Sequence, residues 1–320
     1  MISASSIQET VGLIEYLKFV PYDVSRKQLY SSDELYKGYD CDNPDSFATC
    51  SDTKVYNHFI AHGKQASTDA EALARALHDH GVRMAVDEFF NHRDKRACVG
   101  IMGGHALKRV DKIFGLVALI SRKLTEMGFT MVSGGGPGAM EATHLGAWMA
   151  GRSDVDMLEA INVLAQAPCF GDEGWLATAM QVKRMFEQTQ YQSLGIPTWL
   201  YGHEPSTPFA THIAKFFENS IREDLVLTLP YGGIIYTPGS AGTMQEIFQD
   251  AVQNHYLSYG LSSPMIFFGA KFWTEEMPVY PLLKELSDSG RYRNLLLTLT
   301  DDPDEVIDVL QRFNQCRHQE

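Results

Sequence analysis

The chain has 320 residues, enough for two domains or for one large α/β unit with an extension. Its 27 Lys plus Arg against 40 Asp plus Glu leave a formal charge of −13 and a pI near 5.3, which opposes attraction to nucleic-acid backbones and anionic membranes and favours a small-molecule partner. Hydrophobic residues at 44% and charged residues at 21% belong to a folded globular chain rather than a disordered one.

The start of the sequence, with Met1, Ile2 and Ser3 and then Gln8 and Glu9, lacks the basic segment and apolar run of a signal peptide, so a cytoplasmic location is expected. No stretch reaches the roughly 18 uninterrupted apolar residues of a membrane helix. Cys41, Cys50, Cys98, Cys169 and Cys316 are scattered, odd in number and never in a CxxC pair, which reads as free thiols. Residues 1–94 form an irregular extension of unnamed fold. One helix is well signalled there: Thr68 with Glu71 makes a capping box, Ala70, Leu73, Ala74 and Leu77 share a face, and Gly81 is expected to end it.

From Arg96 onward strand-like runs alternate with amphipathic helices, the pattern of a parallel sheet covered on both faces. Strands are predicted at 97–102, 129–133, 197–201, 233–237, 265–268 and 295–299. Between the first two, Ile113, Leu116, Val117, Ile120, Leu124 and Met127 recur at helical spacing up to Gly128, which completes a βαβ unit. Between the second and third lie about sixty residues with helix signals at 138–150, 153–165 and 174–190, more than one crossover needs. The fold class expected is therefore α/β, a Rossmann-like doubly wound parallel sheet over 95–320, with a helical insertion at about 152–192 and the N-terminal extension 1–94.

Three strand ends are rich in glycine, and ligands of open parallel sheets bind at the carboxyl ends of strands. The first turn carries Gly103, Gly104 and His105, followed by Lys108 and Arg109. The second carries Gly134, Gly135, Gly136, Pro137 and Gly138, and the third Pro238, Gly239, Ser240, Ala241, Gly242 and Thr243. Each turn follows a strand and precedes a helix, so its glycines allow close backbone approach while helix amides and dipole favour an anion. Tight strand-to-helix turns account for one such glycine cluster, but three at one sheet edge point to a nucleotide or sugar-phosphate site. Gly134, Gly136 and Ala139 formally fit GxGxxG/A, yet they follow the second strand, and Asp154 and Asp156 belong to a helix start, which argues against a dinucleotide. There is no P-loop GK[ST], and Ser240 is not in a GxSxG elbow.

A helix over 243–257, with Ile247, Phe248, Ala251 and Val252 inward, puts Glu246 in its first turn, either as an acid favoured by the dipole or as a site carboxylate. Glu141 beside the second turn has the same two readings. Arg222, in the helix before the third glycine strand, reads as a solvated arginine when taken alone. His58 and His62 have the i, i+4 spacing of a metal pair but lack the HExxH glutamate and a third ligand, so no metal is expected. Tyr191, Trp199 and Tyr201 are candidates for stacking on a base or for packing.

The sequences SGGGPGAMEA at 133–142, followed by Gly146 and Ala147, and PGSAGTMQE at 238–246 resemble the paired motifs GGGPGIMEA and PGGxGTxxE of the LONELY GUY (LOG) nucleotide-binding proteins, once considered possible lysine decarboxylases. The similarity runs over about 97–310, two thirds of the chain, and includes PMIFFGAKFW at 264–273 and TDDPDEV at 300–306. This resemblance implies a Rossmann-like fold, usually dimeric, so a homodimer or higher homo-oligomer is expected. It further implies hydrolysis of the N-glycosidic bond of nucleoside 5′-monophosphates to free base and ribose 5-phosphate, with no cofactor. The family's functional pair falls on Arg222 and Glu246. Gly103, Gly104, Gly134, Gly135, Gly136, Gly138, Met140, Glu141 and residues Pro238, Gly239, Ser240, Ala241, Gly242 and Thr243 then form the substrate- and phosphate-binding set. The alternative is a non-catalytic nucleotide or cofactor carrier on the same fold, and a dehydrogenase comes third.

Overall fold

Alternation along the central strands decides the architecture. In β1 (Cys98–Met102), Cys98 and Met102 face one apolar cluster and Val99 and Ile101 the other. In β5 (Gly233–Tyr236), Ile234 and Tyr236 face the first cluster and Ile235 the second. Strands buried on both faces are those of a parallel sheet sandwiched between helices. The computed structural model describes residues 15–316, so the reading of Met1, Ile2, Ser3, Gln8 and Glu9 lies outside the described residues, as does the Cys316 side chain.

The remaining strands are β2 (Thr130–Ser133), β3 (Ser193–Gly195), β4 (His212–Ile213), β6 (Pro264–Phe268) and β7 (Leu296–Thr300). All seven are parallel in the order β4-β3-β2-β1-β5-β6-β7. Chain order runs outward from β1 to β4 on one side and from β5 to β7 on the other, so the direction reverses between β1 and β5. The fold is an α/β doubly wound sheet of Rossmann-like type, and its switch point lies where the first and third glycine turns leave the sheet.

The helices are α1 (Ser32–Leu35), α2 (Ser51–Ala61), α3 (Asp69–Phe90), α4 (Lys112–Glu126), α5 (Ala139–Trp148), α6 (Asp154–Leu164), α7 (Trp175–Met185), α8 (Asn219–Thr228), α9 (Ala241–Tyr256), α10 (Val279–Asp288) and α11 (Pro303–Cys316). Residues of α4, α5, α6 and α11 pack on one sheet face. Residues of α2, α3, α8 and α9 share the cluster on the other. The extension also closes a sheet edge: Tyr30 and Ile213 exchange backbone hydrogen bonds of 2.8 Å each, antiparallel to β4. An edge paired in this way is no longer open to another chain.

Three expectations need correction. The strand expected at 197–201 lies instead at Ser193–Gly195, because Pro197 has no N–H to give a ladder; only Thr198 bridges to Phe216. Gly81 does not end its helix, which runs on to Phe90. The face turned inward on α3 is also different: Leu73 and Leu77 are exposed, while Ala74, Val82 and Val86 are buried beside Glu71, Arg75, His78 and Asp79. Those four polar groups stay inside because each is partnered. Arg75 and His58 both bond Glu71, and His78 lies between Tyr30 and Asp79.

Candidate functional site

The three glycine turns are bonded to one another at the sheet's carboxyl edge. The Gly104 amide donates to the Pro238 carbonyl at 3.0 Å, and the Ala139 amide donates to the Gly104 carbonyl at 3.2 Å. Gly138 has φ +69°, and a Cβ there would fall 2.3 Å from the Gly104 oxygen, so both conformation and space demand glycine. Gly103 packs on Thr237 and Ala139, and Gly135 on Gly195 and Pro197. The Gly135 amide is taken by the Ser133 hydroxyl at 3.0 Å. Gly103, Gly104, Gly135 and Gly138 thus knit the edge together, and the amides of Gly104 and Gly135 are occupied internally.

The third turn differs. Ser240, Ala241 and Gly242 are exposed at the N-terminus of α9, Ser240 makes no side-chain cap, and first-turn amides have no acceptor within their own helix. Ser240 has φ −122°, a conformation open to any residue, so this position tolerates a serine. Gly239 lies between Gly104 and Thr243, and Thr243 is buried behind it.

Because α9 begins at Ala241 rather than at 243, Glu246 sits in its second turn, not its first. Within α9, Ile247 and Ala251 point inward as expected, Phe248 is partly buried and Val252 is exposed. Glu246 is 7% exposed, with Oε1 3.8 Å from Arg222 Nη1. Burial pushes its carboxyl up to about 7; Arg222 pulls it down and Glu223 adds to the rise. Arg222 is buried rather than solvated. The Asp79 carboxylate accepts the Phe217 and Glu218 amides and so fixes the start of α8. From α8, Arg222 Nε donates to the Ile196 carbonyl at 2.8 Å. A Cβ on Gly134 would lie 2.3 Å from Arg222 Nη2 and 2.7 Å from Met140 Sδ, so that glycine makes room for the guanidinium.

Arg222, Gly134, Gly136 and Met140 line a narrow cleft of about 50 Å³ with Tyr201 and Glu204. Glu204 also lies 3.8 Å from His105 Nδ1, on the first glycine turn. Sequence reading missed this His105 and Glu204 pair, since nothing in the spacing of either residue signals the other.

Glu141 is not in the cleft, which corrects its place in the ligand set. It is fully buried with both oxygens on the Arg109 guanidinium. Arg109 in turn donates to Thr178 and to the carbonyls of Ala167 and Trp175, tying α5 to the 154–185 helices. It is therefore no phosphate ligand. Trp199 is buried with its indole N–H on Asp52, and Tyr191 packs beside Gly151, so of the three aromatics only Tyr201 reaches the cleft. His58 and His62 stack at 4.0 Å, with His58 on Glu71 and His62 on the His58 carbonyl. Cys41, Cys50, Cys98 and Cys169 are free thiols. Among the described residues no helix is long and apolar enough to cross a membrane.

No protein-family model matches this sequence, and no curated protein does. Solved structures do. The molybdenum cofactor binding protein from the phototrophic bacterium Rippkaea orientalis is similar at 12% identity and a TM-score of 0.40, over 67% of this chain and 95% of its own. A structural-genomics target, TM1055, is similar at 15% identity and a TM-score of 0.43, over 67% of this chain and 98% of its own.

Proposed function

We propose that the protein is a LOG-like hydrolase that cleaves the N-glycosidic bond of nucleoside 5′-monophosphates. The observation that carries this reading is the buried pair of Arg222 and Glu246, 3.8 Å apart beside the glycine edge, with the carboxyl raised to about 7. A structural ion pair gains nothing from a carboxyl so poised, whereas a general base does. Water attacks C1′ as the bond to the base breaks, the electron pair leaves with the base, and Glu246 takes the proton from water. Before that, its negative charge stabilises the oxocarbenium-like transition state. Arg222 grips ribose or phosphate oxygens, and the exposed start of α9 at Ser240, Ala241 and Gly242 takes the 5′-phosphate.

A cleft of about 50 Å³ is far below the roughly 300 Å³ of a small-molecule pocket. In this reading it receives one end of the nucleotide while the rest lies along the open edge between the first and third turns. A homo-oligomer and a cytoplasmic location are part of the same proposal.

The experiment is release of free base and ribose 5-phosphate from a panel of nucleoside monophosphates, with Glu246→Ala as control. Turnover should fall at least about 100-fold in the variant. Native protein that binds a nucleotide and releases no base from any of them would leave a carrier on the same fold.

A further inference from the structure

Cleaving a glycosidic bond to a nucleobase leaves an electron pair on a ring nitrogen, and an unactivated base departs poorly unless it is protonated as the bond breaks. Glu246 and Arg222 do not meet that need. Glu246 must be ionised to accept the water proton, and a guanidinium does not release one in the working range. Tyr201 is the next group on the cleft, but burial and the neighbouring Glu223 push its phenol above the ordinary value, and its oxygen accepts from Asn219 at 2.9 Å. What remains is the carboxylate of Glu204 with the imidazole of His105.

Their placement suits the task. His105 follows Gly104 directly, and its backbone sits against Gly138, where a Cβ would come within 2.7 Å of its carbonyl oxygen. It is thus held by the same interlocked turns that form the glycine edge. Glu204 reaches it from the loop after β3: one oxygen lies 3.8 Å from His105 Nδ1, and the other 3.6 Å from the position of a Cβ on Gly136. Arg222 and Glu204 both line the cleft; Glu246 lies 3.8 Å from the first and the His105 imidazole 3.8 Å from the second. Glu204 facing Nδ1 leaves Nε2 free for a substrate. About half of His105 is exposed, and the Phe170 ring lies edge-on at 5.7 Å.

We infer that His105 is a catalytic residue of the proposed hydrolysis, giving its Nε2 proton to the departing base, with Glu204 as the positioning residue that orients the ring. The balance closes: the C1′–N bond breaks with its pair going to the base, the His105 proton goes to that nitrogen, water forms the new C1′–O bond and its proton goes to Glu246.

This inference rests on the proposed hydrolase activity, and leaving-group dependence separates the two. Native protein, His105→Gln and Glu204→Gln are compared on the fastest nucleoside 5′-monophosphate of the panel and on 4-nitrophenyl β-D-ribofuranoside 5-phosphate, whose nitrophenolate leaves without a proton. In His105→Gln the loss of kcat on the nucleotide should exceed the loss on the nitrophenyl substrate by at least about 30-fold. Glu204→Gln should lean the same way by a smaller ratio. A loss equal on both substrates, or absent from both, overturns the role of His105 and leaves the hydrolase standing. Native protein that turns over neither substrate removes the hydrolase itself, and this inference with it.

Discussion

Burial lifts Glu246 to about 7, and the charges nearest to it pull in opposite directions: Arg222 favours the carboxylate, and Glu223, the next residue along α8, disfavours it. A general base works only when ionised. The kcat/KM profile of the proposed hydrolysis should therefore rise with pH, with an ascending limb near pH 7. Removing the Glu223 charge eases ionisation of Glu246, so Glu223→Gln should move that limb to lower pH, by about half a unit. A limb that stays put, or moves upward, would separate the profile from Glu246. At this scale the sequence was informative where a motif tied residues together. Glu246 is legible from PGSAGTMQE, and Arg222 becomes legible only by resemblance, because its burial depends on Gly134 and Ile196 from other strands. Glu141 misled for the opposite reason: early-helix placement is the same whether a carboxylate meets a ligand or, as here, a buried arginine.

Elements show which local signals survive packing. The Thr68 cap of α3 was legible, since the Thr68 side chain accepts the Glu71 amide at 3.2 Å. Gly81 was not, because a glycine that ends a helix and one that lets a neighbour approach look alike in sequence. A Cβ on Gly81 would come 1.9 Å from the Arg26 carbonyl oxygen, a backbone atom that cannot swing aside. Helix propensity alone says that Gly81→Ala gains about 1 kcal/mol. The collision opposes that gain, and overpacking costs about 1 to 3 kcal/mol. The expected net effect of Gly81→Ala is destabilisation in urea unfolding, and a variant as stable as native protein would show that Arg26 yields freely. Short strands were lost for a related reason. β3 has three residues and β4 two, too few for a period-2 pattern, and they exist because β2 and the Tyr30 bridge supply their partners.

The alternating apolar runs made the doubly wound sheet the most legible feature of the whole molecule, whereas the work of the extension depends on long-range contacts that no local pattern encodes. Its buried charges hold the loop that carries the site. Asp52 meets Lys215 at 2.9 Å and the Trp199 indole at 2.9 Å, and Asp79 caps the segment that leads to Arg222. These carboxylates and those near α9 respond to pH with opposite signs. Burial opposes the charge of Asp52, but Lys215 and His203 bring it down to about 2, so its contribution is present above its ordinary value near 4 and is lost as pH falls toward 2. Burial raises Asp250 to about 7 against the hydrogen bond from Tyr236, and Glu246 reaches the same value. Between their ordinary values near 4 and about 7, the unfolded chain releases these two protons while the folded chain keeps them. Folding is then disfavoured by up to about 1.4 kcal/mol per pH unit for each group. Their contribution is complete below about 4 and gone above about 7, and growing net negative charge acts in the same direction. Thermal stability should therefore peak near pH 4 to 5, fall toward pH 8 and fall again below about pH 3. Asp250→Asn, which cannot ionise, should flatten the decline between about pH 5 and 7 whatever its absolute melting temperature. Melting curves followed by circular dichroism across that range decide it, and a slope unchanged by Asp250→Asn would mean that this carboxyl is ionised inside the folded protein at neutral pH.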